Sequence, residues 1–150
     1  MTGAIKKLLL ADDDRDDREL FAEALASVDP SIVCQKAEDG KQALQRLAAD
    51  QYDLPNLIFL DINMPVMSGW EVLKHLKGDS QYANIPVIMY TTASGENEKR
   101  IAADLGAICF VTKPDDIRLV KNLQSTVLTG FKEAWTATEL CLEITRLFKP

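Results

Sequence analysis

The chain has 150 residues, of which 47% are hydrophobic, so it can bury one sizeable core, while a second full domain would be cramped. Its formal net charge of −6 argues against a protein whose main task is to neutralise nucleic-acid phosphates or an anionic membrane surface. The expected partners are therefore proteins or cations, with no nucleic acid and no membrane among them.

Neither the N-terminus nor the cysteines predict export from the cell. The apolar run Leu8-Leu9-Leu10-Ala11 is too brief for a signal peptide or a membrane span. Cys34, Cys109 and Cys141 stand singly in apolar stretches, without the close pairs of metal sites or the even number of a disulfide framework. We therefore expect a cytoplasmic chain with three reduced thiols in its core.

Short apolar runs alternate with stretches of helical spacing along most of the chain. The apolar runs predict five strands, at residues 5–11, 32–37, 57–60, 87–90 and 108–111. The helical stretches are at residues 15–28, 41–49, 70–77, 97–105 and 116–127. Continuous apolar strands separated by helices are typical of a parallel sheet covered on both faces, because right-handed crossovers place the helices there. The predicted fold class is therefore doubly wound α/β.

The tail after Gly130 departs from this alternation. Thr136 and Glu139 fit a capping box at the start of a helix. The apolar residues that follow recur at helical spacing, at Ala137, Leu140, Cys141, Ile144, Leu147 and Phe148. We predict an extra amphipathic helix, and we divide the chain into residues 1–130 and a helical extension, residues 131–150, of the same domain. The apolar face packs within the chain or forms a homodimer through the C-terminal part, and the sequence leaves both open.

Polar side chains stand at the carboxyl ends of four predicted strands. The first strand runs into Asp12 and Asp13, the third into Asp61, the fourth ends near Thr91, and the fifth leads to Lys113. In an open parallel sheet, neighbouring strand ends converge beside the switch in strand order, so we expect these groups in one crevice. Ionised carboxylates held close together repel one another unless a cation lies between them. Magnesium suits such a site, because it prefers oxygen ligands and binds through one or two carboxylates plus phosphate oxygen.

The same residues supply the parts that phosphoryl transfer requires. Charge in its loose transition state spreads over the equatorial oxygens, so a protein must mainly position the nucleophile and surround that charge with donors. Asp61, Lys113 and Thr91 together with Mg²⁺ meet this need. The sequence therefore predicts phosphoryl chemistry at Asp61.

Four motifs, in this order, resemble the receiver domain of two-component response regulators. They are Leu10-Ala11-Asp12-Asp13, Leu60-Asp61-Ile62-Asn63-Met64-Pro65 with Ser68-Gly69, Tyr90-Thr91, and Lys113-Pro114. The resemblance covers residues 5–127, and in size the chain is similar to the chemotaxis-type and cyanobacterial-phytochrome-type single-domain members. It implies a flavodoxin-like sheet of order 2-1-3-4-5, with the tail helix as an addition.

The resemblance also implies a role for each acidic residue. Asp61 would be the phosphoacceptor. Asp13, the Asp61 side chain and the Asn63 backbone carbonyl would ligate Mg²⁺, with Asp12 acting partly through water. The chain would then be a phosphoacceptor switch and not an enzyme, assisting only its own phosphorylation and dephosphorylation.

The resemblance also implies roles for Thr91, Lys113 and Phe110. Thr91 and Lys113 would bind the phosphoryl group, and Thr91 with Phe110 would form a conformational relay. Position 92 departs from the family, because Thr92 stands where many relatives have alanine or glycine. The implied partners are a histidine kinase or phosphotransfer protein and a downstream protein target, with no output domain attached to the chain.

A calcium-binding loop would be a different use of the acidic stretch that follows the first strand. Asp12, Asp14, Asp16 and Glu23 stand at positions one, three, five and twelve of an EF-hand loop. Asp17 occupies the position that needs glycine, and a strand rather than a helix precedes the loop. We favour instead the first turn of a helix for residues 14–19, where carboxylates complement the helix dipole.

Two competing functions would use the same strand-end site. A phosphohydrolase of the haloacid-dehalogenase type would need a second aspartate two positions after the nucleophile, where this chain has Asn63. A pseudo-receiver that signals by binding alone would lack the acceptor, the acids or the lysine, and all of these are present.

Overall fold

The computed structural model describes residues 3–148. The first two residues of the predicted range 1–130 and the last two of the range 131–150 therefore lie outside the described residues. Five strands form one parallel sheet in the order β2-β1-β3-β4-β5. They are β1 (Lys7–Ala11), β2 (Val33–Ala37), β3 (Leu57–Leu60), β4 (Val87–Thr91) and β5 (Cys109–Thr112). The strand order reverses direction at β1, and the predicted fold class is confirmed.

Helices cover both faces of the sheet. They are α1 (Arg15–Val28), α2 (Gly40–Ala49), α3 (Gly69–Lys77), α4 (Glu96–Asp104), α5 (Ile117–Lys132) and α6 (Ala137–Leu147). One apolar layer packs α1, α5 and α6 against the sheet, and the other packs α2, α3 and α4 against its opposite face. Successive residues of a strand point to opposite faces, and β1, β3 and β4 are buried on both faces, which explains why these central strands are mostly apolar. The edge strand β2 is more exposed and carries Gln35 and Lys36.

Three aromatic rings form the centre of the first layer, directly below the carboxyl ends of β3 and β4. The ring centroids of Phe21 and Phe59 are 5.0 Å apart, and that of Tyr90 is 5.5 Å from Phe21 and 5.6 Å from Phe59. Tilted and edge-on pairs at these separations are favourable beyond their buried area. Phe59 and Tyr90 stand two and one residues before the predicted site positions 61 and 91, so this cluster supports the rim of the sheet.

Helix α5 extends beyond the predicted end at residue 127 to Lys132. Gly130 suggested a break, but it lies inside the helix. A Cβ atom at this position would lie 2.8 Å from Cε3 of Trp135 and 3.0 Å from Cδ1 of Leu140. The glycine therefore provides room for the turn before α6 and for α6 itself to approach α5.

The predicted tail helix is confirmed as α6, and its apolar face packs mostly within the chain. The Oγ1 atom of Thr136 caps the helix by accepting a hydrogen bond of 3.1 Å from the amide of Glu139. Leu140 and Ile144 are buried against the layer that contains α5 and the β5 edge. Phe148, at 39% exposure, remains accessible at the end of the helix. Among residues 3–148, no helix has the length and apolar character that a membrane span requires.

The cysteine prediction is wrong for two of the three residues. Cys109 of β5 and Cys141 of α6 form a disulfide with a Cα–Cα distance of 5.7 Å, whereas Cys34 is free. The two partners are 32 positions apart, so their spacing carried no sign of pairing. They meet because α6 folds back onto the edge strand. Burial raises the pKa of the Cys34 thiol, so it stays protonated.

Candidate functional site

The carboxyl ends of β1 and β3 bring three carboxylates together. The amide of Asp12 donates to the carbonyl of Ala37 at 3.0 Å, and the amide of Asp61 donates to the carbonyl of Ala11 at 2.9 Å. These bonds continue the sheet past the strand ends and hold both backbones. Carboxylate oxygens of Asp12, Asp13 and Asp61 lie within 4.8 Å of one another, with Asp13 exposed and the other two buried. The predicted acidic trio is therefore one cluster.

The loop after β3 folds tightly around Asp61. The amide of Ile62 donates to Oδ1 of Asp61 at 2.8 Å, which leaves Oδ2 to face the rest of the site. The amide of Gly69 donates to the Ile62 carbonyl at 2.8 Å, and a Cβ atom on Gly69 would lie only 2.0 Å from the Asp61 carbonyl oxygen. Glycine is thus required by this close approach. Asn63 lies exposed in the same loop, two residues beyond Asp61.

Lys113 reaches the acidic cluster from the loop after β5. Its Nζ donates to Oδ2 of Asp61 at 2.9 Å and to Oδ2 of Asp17 at 3.0 Å, and it lies 2.8 Å from Oδ2 of Asp12. Its amide donates to the Thr91 carbonyl at 2.8 Å, which fixes the loop to the end of β4. Burial by itself would lower the pKa of Lys113, but its close contacts with the Asp12 and Asp61 carboxylates outweigh this and raise the pKa above its ordinary value. The ammonium stays charged.

One carboxylate oxygen of Asp12 is not satisfied by the protein. Oδ1 accepts from the Asp14 amide at 3.0 Å. Oδ2 is buried, and although Nζ of Lys113 is within ion-pair distance, the angles are not those of a hydrogen bond and no described residue supplies one. Burial raises the pKa of Asp12 to about 6, reinforced by the Asp61 charge and opposed by Lys113 and the Asp14 amide. A divalent cation between the carboxylates would give Oδ2 a further positive partner beside Lys113, so the residues fit magnesium.

Thr91 and Phe110 occupy neighbouring strands at the β5 side of the site. Thr91 is fully buried at the end of β4, in register with Thr112 of β5. Phe110 is half-buried and packs against the layer that contains α4. Thr91 therefore lies next to the backbone of Lys113, and Phe110 is in register with Met89, two residues before Thr91. Their predicted role as a relay stays a prediction.

A groove of about 430 Å³ connects this side of the site to α6. Phe110 and Lys113 line it from β5 and the following loop, and Leu119 lines it from α5. Ile144 of α6 and Phe148, directly after this helix, also line it. The tail helix thus reaches the surface next to the predicted relay residue.

Sequence reasoning missed Asp17 as a member of the site. The first turn of α1 begins three residues after Asp12, and Asp17 in this turn contacts Lys113. Arg18 also takes part, since its Nη1 donates to the Asp12 carbonyl at 2.8 Å. Helix α1 begins at Arg15, inside the twelve residues that an EF-hand loop would need, which excludes a calcium-binding loop here. The position of Asp17 in that first turn was the signal that could have found it.

The fold and the site define a response-regulator receiver domain. Residues 8–124 match the family described as the response regulator receiver domain, and the chain belongs to that family. Asp12, Asp13 and Asp61 cluster at the strand ends and Lys113 contacts this cluster, while the roles that the resemblance implies for them stay predictions.

The relatives of this chain differ in how much of their own length the chain covers. A probable cyclic di-GMP phosphodiesterase of Vibrio cholerae is 36% identical over 121 residues, which cover 81% of this chain but only 26% of that protein. The chain thus spans about a quarter of this relative. Response regulator Rcp1 of Synechocystis sp. is 31% identical over 140 residues, which cover 89% of this chain and 90% of Rcp1. The similarity to Rcp1 extends over nearly the whole of both chains.

Two solved structures of this second kind superpose well. The Mn²⁺-bound form of Rcp1 has a TM-score of 0.75 at 29% identity, covering 82% of this chain and 94% of Rcp1. The phosphorylated cyanobacterial phytochrome response regulator RcpA has a TM-score of 0.77 at 29% identity, covering 85% of this chain and 94% of RcpA. The chain is therefore similar to single-domain receivers in both sequence and fold.

Proposed function

We propose that this chain is a phosphoacceptor switch in which a histidine kinase or phosphotransfer protein transfers a phosphoryl group to Asp61 in the presence of Mg²⁺. The observation that carries the proposal is the 2.9 Å hydrogen bond from Nζ of Lys113 to Oδ2 of Asp61, inside a cluster of three carboxylates. An ammonium and a cation-sized acidic cluster around one buried carboxylate are the parts that phosphoryl transfer needs.

Asp61 acts as the nucleophile in this proposal. Its Oδ2 forms a bond to phosphorus while the bond from phosphorus to the donor nitrogen or oxygen breaks, and the donor leaves with that electron pair. Asp12, Asp13, Asp61 and the Asn63 carbonyl would hold Mg²⁺, which would supply positive charge to balance that of the phosphoryl oxygens.

Lys113 and Thr91 also bind the transferred phosphoryl group in this proposal. The Lys113 ammonium pairs with one phosphoryl oxygen, and the Thr91 hydroxyl donates to another. Thr91 is buried at the end of β4, and turning its side chain toward the phosphoryl group would change the packing on the neighbouring strand β5, which carries Phe110. The population of Phe110 conformers would then report phosphorylation to a downstream protein target.

The chain acts as a switch and not as a metabolic enzyme. Receiver domains of this family are generally phosphoacceptors without an enzymatic function. Asn63 offers an amide where a haloacid-dehalogenase site has its second aspartate, so rapid discharge of an aspartyl phosphate lacks its acid–base group. A phosphoryl group on Asp61 would persist long enough to signal.

The tail belongs to the same domain as the receiver in this proposal. Burial of Leu140 and Ile144 against α5 and β5 supports this, because their removal would expose apolar core. Leu142, at 55% exposure, and Phe148 remain on the outer side, where a homodimer or a downstream target would meet α6.

Intact-mass measurement after incubation with acetyl phosphate and MgCl₂ tests the acceptor. We expect one phosphoryl adduct on the wild-type chain and none with excess chelator. Asp61→Asn should give no adduct, whereas Asp53→Asn, which changes an exposed aspartate outside the cluster, should match the wild type. An equal adduct on Asp61→Asn, or none on the wild type, would refute the assignment.

A further inference from the structure

We propose that Asp17 is a positioning residue that keeps Lys113 directed at the phosphoryl group, an inference that rests on the phosphoacceptor function proposed above. Asp17 lies outside the acidic cluster of Asp12, Asp13 and Asp61, and yet it accepts a hydrogen bond from Nζ of Lys113 at 3.0 Å. Asp17 belongs to none of the four receiver motifs of this sequence.

The contacts of Lys113 differ in what happens to them once the site is filled. Nζ makes hydrogen bonds to Asp61 and Asp17 and a closer ion pair with Asp12. Binding of a cation and of a phosphoryl group engages the Asp12 and Asp61 oxygens, so those two contacts are weakened. The bond to Asp17 involves no cluster oxygen and is retained. An ammonium has three N–H donors, so one can bind a phosphoryl oxygen while Asp17 holds another.

The Asp17 carboxylate is itself held in place. Its amide donates to Oδ1 of Asp14, the N-cap of α1, at 3.1 Å, so it sits in an ordered first turn. Arg18, the next residue, binds the Asp12 carbonyl and fixes the same turn to the end of β1. The contact from Asp17 to Lys113 joins residues 96 positions apart across the rim of the site.

The expected effect is several-fold and not absolute. Lysine has a long side chain, and without a third acceptor its ammonium must lose more conformational freedom when it binds the phosphoryl group. The Asp17 side chain is 35% exposed, so solvent screens the ion pair and limits its contribution. We expect loss of the Asp17 charge to weaken phosphoryl-mimic binding by about threefold to tenfold.

Binding of fluoroberyllate, a phosphoryl mimic, measured by calorimetry in saturating Mg²⁺ tests this role. We expect Asp17→Asn to bind fluoroberyllate about fivefold more weakly than the wild type, with Mg²⁺ affinity alone unchanged within about twofold. Asp17→Glu keeps the carboxylate and should recover most of the loss. Asp16→Asn is the matched control, since it removes the same charge from the same helical turn at an exposed position, and it should match the wild type.

The outcomes separate this inference from the function on which it rests. Absence of fluoroberyllate binding by the wild type would overturn the phosphoacceptor proposal and this one with it. Normal binding by the wild type with equal affinities for Asp17→Asn and Asp16→Asn would overturn the role of Asp17 alone. Tighter binding by Asp17→Asn, or an equal loss of Mg²⁺ and fluoroberyllate affinity, would also overturn it, because these would indicate competition or a structural defect.

Discussion

Nζ of Lys113 donates a hydrogen bond of 2.9 Å to Oδ2 of Asp61, although 52 positions separate the two residues in the chain. The side chains of both are 7% exposed. The contact connects the loop after β5 to the end of β3, past the end of β4, which lies between them in the sheet. A buried ion pair contributes little net stability, but removing one partner is costly because the other charge is left buried and unpaired.

Replacing Lys113 should destabilise the metal-free chain. Lys113→Met leaves the buried carboxylates of Asp12 and Asp61 without their cation, which we expect to lower the free energy of unfolding by about 3 kcal/mol. Saturating Mg²⁺ should recover a large part of the loss, because it supplies the missing positive charge. Urea unfolding with and without Mg²⁺ measures both effects.

Lys132→Met provides the control for that experiment, because Lys132 is an exposed lysine at the end of α5. Its unfolding free energy should stay within about 0.5 kcal/mol of the wild type. If both variants behaved alike, Lys113 would not be balancing the charge of the cluster.

Magnesium affinity should depend on pH through Asp12. Burial raises the pKa of this carboxyl to about 6 in the metal-free chain, so below that pH a proton occupies the group that must bind the cation. The apparent Mg²⁺ affinity should be constant above pH 7 and fall by up to about tenfold per pH unit below about pH 6. Calorimetric titration with Mg²⁺ across this range is the measurement, and constant affinity down to about pH 5 would contradict the raised pKa.

The Cys109–Cys141 disulfide should stabilise the attachment of α6. In oxidising buffer, Cys141→Ser should lower the free energy of unfolding by about 2–4 kcal/mol, because the crosslink no longer restricts the unfolded chain. Dithiothreitol should remove most of the difference between the variant and the wild type. Chemical unfolding in both buffers measures the effect, and Cys34→Ser serves as the control that keeps the crosslink.

Thiol counting provides a second check on the pairing. Alkylation of the unfolded, unreduced wild type should modify one cysteine, Cys34, and modification of all three would show that the crosslink is absent. Disulfides persist in oxidising compartments and are rare in the cytosol. The same thiol count on chain isolated without reductant therefore reports whether the Cys109–Cys141 pair is oxidised in the cell.

Gly130→Ala should destabilise the chain even though alanine is the better helix former. The added methyl group would lie 2.8 Å from Trp135 and 3.0 Å from Leu140, so α6 must move away from α5. We expect a loss of about 1–3 kcal/mol in the free energy of unfolding, as for other overpacked contacts.

Thr129→Ala changes the neighbouring exposed position of α5 and raises helix propensity without that clash. It should be neutral or slightly stabilising. Thermal unfolding of both variants is sufficient, and a stabilised Gly130→Ala would mean that the close approach of α6 is not as described.

Local patterns were sufficient for most of the elements. Helix α1 runs from Arg15 to Val28 as predicted, because Asp14 is a good N-cap and the apolar spacing that follows is regular. The strands were recognisable because each contains a short apolar run, although the edge strand β2 also carries Gln35 and Lys36. The predicted end of α5, at residue 127, was wrong because a glycine weakens a helix in isolation, so Gly130 suggested a break. The helix continues to Lys132, and only the packing of α6 explains why a glycine stands at position 130.

The sequence by itself determined the alternation of strands and helices, the strand-end positions of Asp12, Asp13 and Asp61, and the capped tail helix, because each depends on residues near one another in the chain. Only the tertiary structure decided that Cys109 pairs with Cys141, that Asp17 shares Lys113 with the acids, and that Gly130 admits α6. Those contacts join segments that are distant in the chain or that pack on one another. Their positions depend on how the whole chain folds to bury its two apolar layers, which no local pattern of residues specifies.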